Sequence, residues 1–368
     1  MTFQYNLDGQ LHAVSRYATA DAAAIQANPS ASVADSVYGY DSIGRLTSLS
    51  HSHSGSIIAG YGFQYDSANR MTAFTNSAHS TENATYQYDD RGQLTGADRS
   101  GTSQDETYGY DDNGNRISGG FQTAPGNRLR TDGTFNYDYD KEGNRTARYV
   151  DNDHSGTLSA GDTNVTTYSW DSRNRLTHVE SANTYGGTAT KAVDLFYDSF
   201  DRLIGETTNA NGPTGSSADK HIQYLYDGNQ ILEAFEDGSL KNRYLWGNDV
   251  DQLLADEQVT STTAPGNVLW QLTDHQNTVR DIVNNSGAVV NHLTYNSFGL
   301  PTRETNPSTT HRFGYTARLF EFIIGMQYNS ERWYDPLAQR WISADPIGFA
   351  AHDPNLSRMV DNAPFEFV

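Results

Sequence analysis

Between residues 151 and 162 the chain reads DNDHSGTLSAGD. Side-chain oxygens stand at loop positions 1, 3, 5, 9 and 12, contributed by Asp151, Asp153, Ser155, Ser159 and Asp162, and Thr157 offers a backbone carbonyl at position 7. With Gly156 sixth and Leu158 eighth, this is the arrangement of a twelve-residue calcium loop, in which hard oxygen donors surround a hard cation. Aspartate in the last position, where glutamate is usual, shortens the reach and should weaken bidentate binding. The flanks ARYV and TNVTTYSW read as strands, so the expectation is a calcium-binding turn that stiffens a loop between strands. The plainer alternative is a Gly- and Asp-rich hairpin tip. Other chemistry is sparse. The eleven histidines are scattered, with His51 and His53 in a Ser-rich loop, and each reads as a surface loop residue rather than a ligand. HExxH, P-loop and GxSxG patterns are absent. Without cysteine, disulfides, thiol catalysis and thiolate metal sites are excluded.

The elements that must carry this loop are suggested by composition. The 368 residues include 23 Tyr and 32 Gly, yet only 36% are hydrophobic. An apolar fraction this low usually marks disorder, but disordered chains are poor in aromatics. A net charge of −20 argues against nucleic acid or an anionic membrane surface as partner. No apolar stretch approaches a membrane span. The opening MTFQYNLDGQ has no signal-peptide character and starts inside a strand-like pattern, as a fragment would. Of the 25 basic residues only Lys141, Lys191, Lys220 and Lys241 are lysines, a bias that suggests repeated planar hydrogen bonding or stacking by arginine.

A repeat accounts for these figures. YGYDSIGRLT begins at Tyr38, FQYDSANRMT at Phe63, YQYDDRGQLT at Tyr86 and YGYDDNGNRIS at Tyr108. YDYDKEGNRT follows at Tyr137, YSWDSRNRLT at Tyr168, LFYDSFDRLI at Leu195 and YLYDGNQIL at Tyr224, and a degenerate copy opens at Phe3. Each unit reads as strand, tight turn, strand. Aromatics alternate with polar or small residues at the strand period of two. Asp-x-x-Gly or Asp-x-x-Asn then provides a side-chain acceptor and a residue tolerant of positive φ. The recurrent arginine either faces solvent or makes a lateral contact, on a neighbouring tyrosine or a turn aspartate; the joint recurrence of all three residue types favours the contact. Helical periodicity is almost absent.

The unit YxYDxxGRLT resembles the YD repeats of the Rhs and teneurin-like family, whose bacterial members include the B and C components of insecticidal toxin complexes. The run from His311 to Pro364 resembles that family's Rhs-associated core, through Arg332–Pro336, Arg340–Ser343, Asp345–Gly348 and Asn355–Pro364. The resemblance implies an all-β fold: a YD-repeat β-strip spiralling into a partial shell, with repeats over 1–243 and a truncated core over 244–368. It also implies aspartate chemistry that cleaves the parent chain, for which Arg332 and Asp345 are the matching residues; the partner carboxylate expected past Val368 and the scissile bond are absent, so the chain is expected to be inactive as written. Asp335, Asp353 and Asp361 are further acids, none singled out as a substitute. In this reading the chain is an encapsulating shell segment of a larger secreted or cell-surface toxin-delivery or contact protein. Its partners would be the rest of that polypeptide or an enclosed C-terminal toxin. Rival readings are a self-cleaving enzyme and an adhesion or carbohydrate-binding module. Open sheet edges suggest self-association. Two departures stand out: Phe322, Ile323 and Ile324 occupy a usually polar turn, and Ser357 and Met359 replace aromatics.

Overall fold

The computed structural model describes residues 1–19, 21–101, 104–212, 219–261 and 263–365. Among the described residues there are 29 strands, and the single α-helix is the six-residue Ala22–Ala27. The helix was not legible as a periodic pattern; Asp21 starts it by accepting from the amides of Ala23 and Ala24. The all-β expectation holds. Strands pair antiparallel with their neighbours in sequence.

The chain divides into two compact units that are interleaved along the sequence. The first comprises residues 1–107, 242–317 and 363–368, the second 108–241 and 318–362. In the first unit a nine-stranded sheet runs from Thr2–Tyr5 to Glu106–Thr107. Its Val33 and Ala34 pack against Ala255, Trp270, Leu272 and Val283, which belong to the strands between Leu253 and Val283. Residues Ala363 and Phe365 return to this unit, where the Phe365 ring lies 4.4 Å from that of Tyr86. In the second unit, repeat strands pack on the four-stranded sheet formed by Leu319–Glu321, Met326–Asn329, Arg332–Asp335 and Arg340–Trp341. Tyr328 of that sheet accepts a hydrogen bond from the Leu203 amide at 3.0 Å. The Trp333 indole donates to the Tyr197 hydroxyl at 2.9 Å.

The repeats from Tyr38 to Leu195 build the same turn, whereas in the unit at Tyr224 Asp227 pairs directly with Gln230 across a shorter one. In the unit at Tyr38, Asp41 Oδ1 accepts from the amides of Ile43 and Arg45, while Oδ2 accepts from Arg45 Nε at 2.7 Å. The fourth turn residue has positive φ: +89° at Gly44 and +66° at Asn69, so the Gly-or-Asn preference is a backbone requirement. Where the two strands of a unit pair, the pairing slips by one residue at the aromatic, as between Gly39 and Tyr40 or Gln64 and Tyr65, a bulge that sharpens local twist.

The recurrent arginine contacts its neighbour and its own turn at once. Arg45 lies 5.0 Å above the ring of Tyr65 in the next unit and donates to the Asp66 carbonyl at 3.2 Å. Arg70 covers Tyr88 at 5.0 Å, Arg175 covers Tyr197 at 5.1 Å and Arg202 covers Tyr226 at 5.0 Å. In return the aromatic reaches back. Tyr65 donates to the Leu46 carbonyl, Tyr88 to that of Met71, Trp170 to that of Arg145 and Tyr226 to that of Leu203, at 2.6 to 2.8 Å. Gln93, Asn115 and Asn144 keep the bond to the turn aspartate where arginine is replaced.

The bulky turn at 321–325 closes despite its composition. The Gly325 amide donates to the Glu321 carbonyl at 2.8 Å, and Glu321 Oε1 accepts from the Ile323 amide. Of its three large side chains only Phe322 is strongly exposed, and Met359 is buried.

Candidate functional site

Arg332 opens the strand Arg332–Asp335 of the second unit, and Asp345 follows the next strand, Arg340–Trp341. The two residues expected from the core motif meet. Arg332 Nη2 is 2.9 Å from Asp345 Oδ2, with both side chains about four-fifths buried. The guanidinium stacks 4.2 Å from the Trp341 ring, which fixes its plane. Burial lowers the Arg332 pKa, an effect that Asp345 opposes. Asp345 also closes the Asp-Pro turn, where its Oδ1 accepts from the Ile347 amide at 2.9 Å.

The pair faces a cavity of about 330 Å³ within the second unit. Glu142, Asp201 and Glu331 line it beside Arg173 and Arg175, with Trp170 and Trp333 as aromatic walls. Asp201 is bound to Arg173 at 2.6 Å and to Arg175 at 3.0 Å. The other acids of the core are engaged elsewhere. Asp335 pairs with the fully buried Arg145 at 2.5 Å, and Arg358 holds both Asp353 and Asp361 at 2.6 and 2.7 Å. The arrangement is a carboxylate held by an arginine at the rim of a polar chamber. It is suited to orienting a peptide-like group or to keeping a turn closed.

The loop after strand Arg145–Val150 draws its acids together. One oxygen each from Asp151, Asp153 and Asp162 lies within 4.8 Å of the others. Ser159 Oγ donates to Asp153 at 2.7 Å, and Ser155 Oγ donates to the Thr157 carbonyl at 2.7 Å. Hydrogen bonds from Ser159 and from the Ser155 amide hold the Asp153 carboxyl down at about 2. Leu158 packs against Ala147, Tyr149 and Val165, anchoring the loop to the strands. All six expected oxygen donors therefore lie in one loop, and the three carboxylates converge.

Two histidines depart from the expectation that they are surface residues. His51 is in the strand Leu46–His53 and is fully buried. Ser36 Oγ lies 2.7 Å from its Nδ1, and its Nε2 lies 2.8 Å from the Thr273 carbonyl. Since Nε2 must donate to that carbonyl, Nδ1 accepts from the Ser36 hydroxyl, which in turn accepts from Arg16. Burial and the Arg16 charge depress the His51 pKa to about 4. His292, also in the first unit, bridges Asp281 at 2.7 Å and Glu82 at 2.5 Å. Arg280 joins the same Glu82 at 2.5 Å, and His79 stacks on His292 at 4.0 Å. Burial alone would lower the His292 pKa, but its bonds to Asp281 and Glu82 raise it to about 9. The signal for His51 was present: it is two residues from the buried Leu49, on the inward side of the alternation.

The Teneurin YD-shell family model matches residues 1–358. The chain belongs to the Teneurin YD-shell family. Within curated relatives, this YD-shell chain is 26% identical over 191 residues to the probable deoxyribonuclease RhsA of Dickeya dadantii (strain 3937), covering 51% of the chain and 12% of that protein. It is 27% identical over 213 residues to the tRNA3(Ser)-specific nuclease WapA of Bacillus spizizenii (strain DSM 15029 / JCM 12233 / NBRC 101239 / NRRL B-23049 / TU-B-10), covering 56% of the chain and 8% of that protein. The double-stranded DNA deaminase toxin A of Burkholderia cenocepacia (strain H111) is 22% identical, with 84% of the chain and 20% of that protein covered. The chain thus spans a fifth or less of these relatives. A Photorhabdus luminescens Tc holotoxin pore structure matches the whole chain over 18% of its own, with a TM-score of 0.71 and 16% identity. A TcdB2–TccC3 crystal structure covers the whole chain over 19% of its own, with a TM-score of 0.65 and 14% identity. These likenesses establish the fold. No described helix is long and apolar enough to cross a membrane.

Proposed function

We propose that the chain is a structural wall segment of a shell in a larger toxin-delivery polypeptide, enclosing or scaffolding a variable C-terminal toxin. The lateral repeat contact carries this reading: turn aspartate, arginine and the next unit's aromatic tie each hairpin to its neighbour at nearly constant geometry. Such a contact is heterologous and extends a strip. The relatives, named for nuclease, deaminase and Tc toxin activities, are far longer than the matched region. The parent would act outside the producing cell or at its surface. The test is protease treatment of the chain joined to its native downstream sequence. The downstream part should resist while the YD-shell chain is intact; digestion at the rate of the free downstream part overturns the reading.

A second role rests on the Arg332–Asp345 pair. In the longer polypeptide, Asp345 would share proton transfer with a downstream carboxylate, and Arg332 would keep it charged. Asp345→Asn should then abolish release of the downstream fragment; unchanged release removes Asp345 from the step. For the loop at 151–162 we propose a calcium ion held by Asp151, Asp153 and Asp162, with Ser155, Thr157 and Ser159 completing the oxygen shell. Native mass spectrometry with calcium, then chelator, should show one ion bound and released. No mass change overturns it.

A further inference from the structure

The knot around His292 in the first unit is a donor set of a different kind from the oxygen loop at 151–162. Glu82 ends the short turn Ser80–Glu82, His79 precedes that turn, and His292 lies in the strand Val289–Tyr295. One donor atom from each of the three lies within 4.8 Å of the others. The carboxylate is held in place from one side. Its Oε2 accepts from Arg280 at 2.5 Å and from Asn76 at 3.2 Å, so that Oε1 faces His292 Nε2. His292 is held from behind, with its Nδ1 2.7 Å from Asp281 Oδ1. A histidine whose far nitrogen donates to a carboxylate is the usual form of a metal-bound imidazole. His79 is half-buried and stacks on His292, and its ring nitrogens have no hydrogen-bond partner among the described residues. Buried charge points the same way. Glu82, Asp274 and Asp281 are buried carboxylates served by a single arginine, Arg280, and Asp281 Oδ2 has no hydrogen-bond partner. A proton on His292 leaves one negative charge uncompensated; a divalent cation beside a neutral His292 leaves none.

We propose that His79, Glu82 and His292 hold a divalent transition-metal ion, zinc being the ion best suited to two imidazoles and one carboxylate. The ion takes the place of the proton between His292 Nε2 and Glu82 Oε1, and that proton leaves to solvent. A turn of the His79 ring about its Cβ–Cγ bond brings in the third ligand. Ala78 and Ser80 on either side of it are exposed, so the ion enters from there and water fills the fourth position. Calcium takes oxygen ligands and suits the loop at 151–162 instead. The ion ties the turn at 79–82 to a strand 210 positions further on, a cross-link inside the first unit. This site stands apart from the shell-segment reading and from the protease test of it.

The full chain, stripped with chelator and kept in excess calcium to fill the oxygen loop, is titrated with zinc and, separately, with cobalt(II). Zinc should raise the melting temperature, and cobalt should give the intense visible bands of a four-coordinate site. His79→Ala removes a ligand that carries no hydrogen bond, so the metal-free variant should melt with the parent chain. Its zinc affinity should nevertheless fall by roughly 100-fold, and the cobalt bands should vanish; Asp281→Asn, which leaves the three ligands in place, should cost roughly 10- to 100-fold. Two outcomes overturn the proposal: no zinc bound in the presence of calcium, or zinc affinity and cobalt bands unchanged by His79→Ala.

Discussion

The aspartate–arginine pairs of the repeat ladder and the knot of Glu82, Arg280 and His292 are made of similar groups at different depths. In the ladder, Arg45 and Asp41 are 29% and 23% exposed; in the knot, Arg280 and Glu82 are each 10% exposed. A half-hydrated pair contributes little singly, because solvent screens it. Its effect lies in repetition: every unit is clamped to the next in one register. The knot occurs once, and each of its charges depends on the others for solvation. The ladder tolerates Gln93 in an arginine position, as expected where a planar amide can keep the essential bond. In the knot, His292 is held charged between two carboxylates, while His51 in the same unit is held neutral between a hydroxyl and a carbonyl. Burial alone does not set a histidine's charge; its partners do.

The sharpest way to break this contrast is Glu82→Ala, which takes the shared carboxylate from Arg280 and His292, leaving them only Asp274 and Asp281, and should lower unfolding free energy by about 3 kcal/mol, read from urea denaturation. Next comes the acid limb. His51 titrates near 4 in the fold against 6.5 ordinarily, so the unfolded chain binds its proton first as pH falls. Stability is then lost between pH 6.5 and 4, by about 3 kcal/mol. His51→Gln should flatten this part of the stability curve relative to the parent chain. His292 has the opposite sign. Its contribution is complete below pH 6.5 and disappears as pH rises through about 9. The stability gap between the parent and His292→Gln should therefore narrow over that window. The smallest effect belongs to the ladder: Arg70→Gln, which copies the arrangement at Gln93, should cost about 0.5 to 1 kcal/mol. A loss as large as that of Glu82→Ala would show that the ladder pairs behave as a buried network.

The ladder was legible because it repeats. Tyrosine, aspartate, the positive-φ residue and arginine recur together, so each role could be read from its neighbours; the structure added that one arginine satisfies its own turn and the next ring simultaneously. Arg332 and Asp345 were legible through the core motif, and they meet. The buried polar groups were not. His51 finds Thr273 across 222 positions, and His292 finds Glu82 across 210. Alternation says that a side chain points inward but not what waits there. Asp335 looked like any other core acid until Arg145, 190 positions away, was seen to hold it.

The interleaving of the two compact units has a consequence for synthesis. Residues 1–107 leave the ribosome before the residues at 242–317 that supply much of their cover, and Ala363 and Phe365 follow later still. The whole stretch 108–241 must be translated in between, a delay on the order of ten seconds at ordinary elongation rates. During that wait, inward-facing residues such as Val33, Ala34, Tyr61 and Phe63 lack their final cover. The nascent sheet is then a natural client for a chaperone, and slowing translation beyond residue 107 should lower the yield of soluble chain.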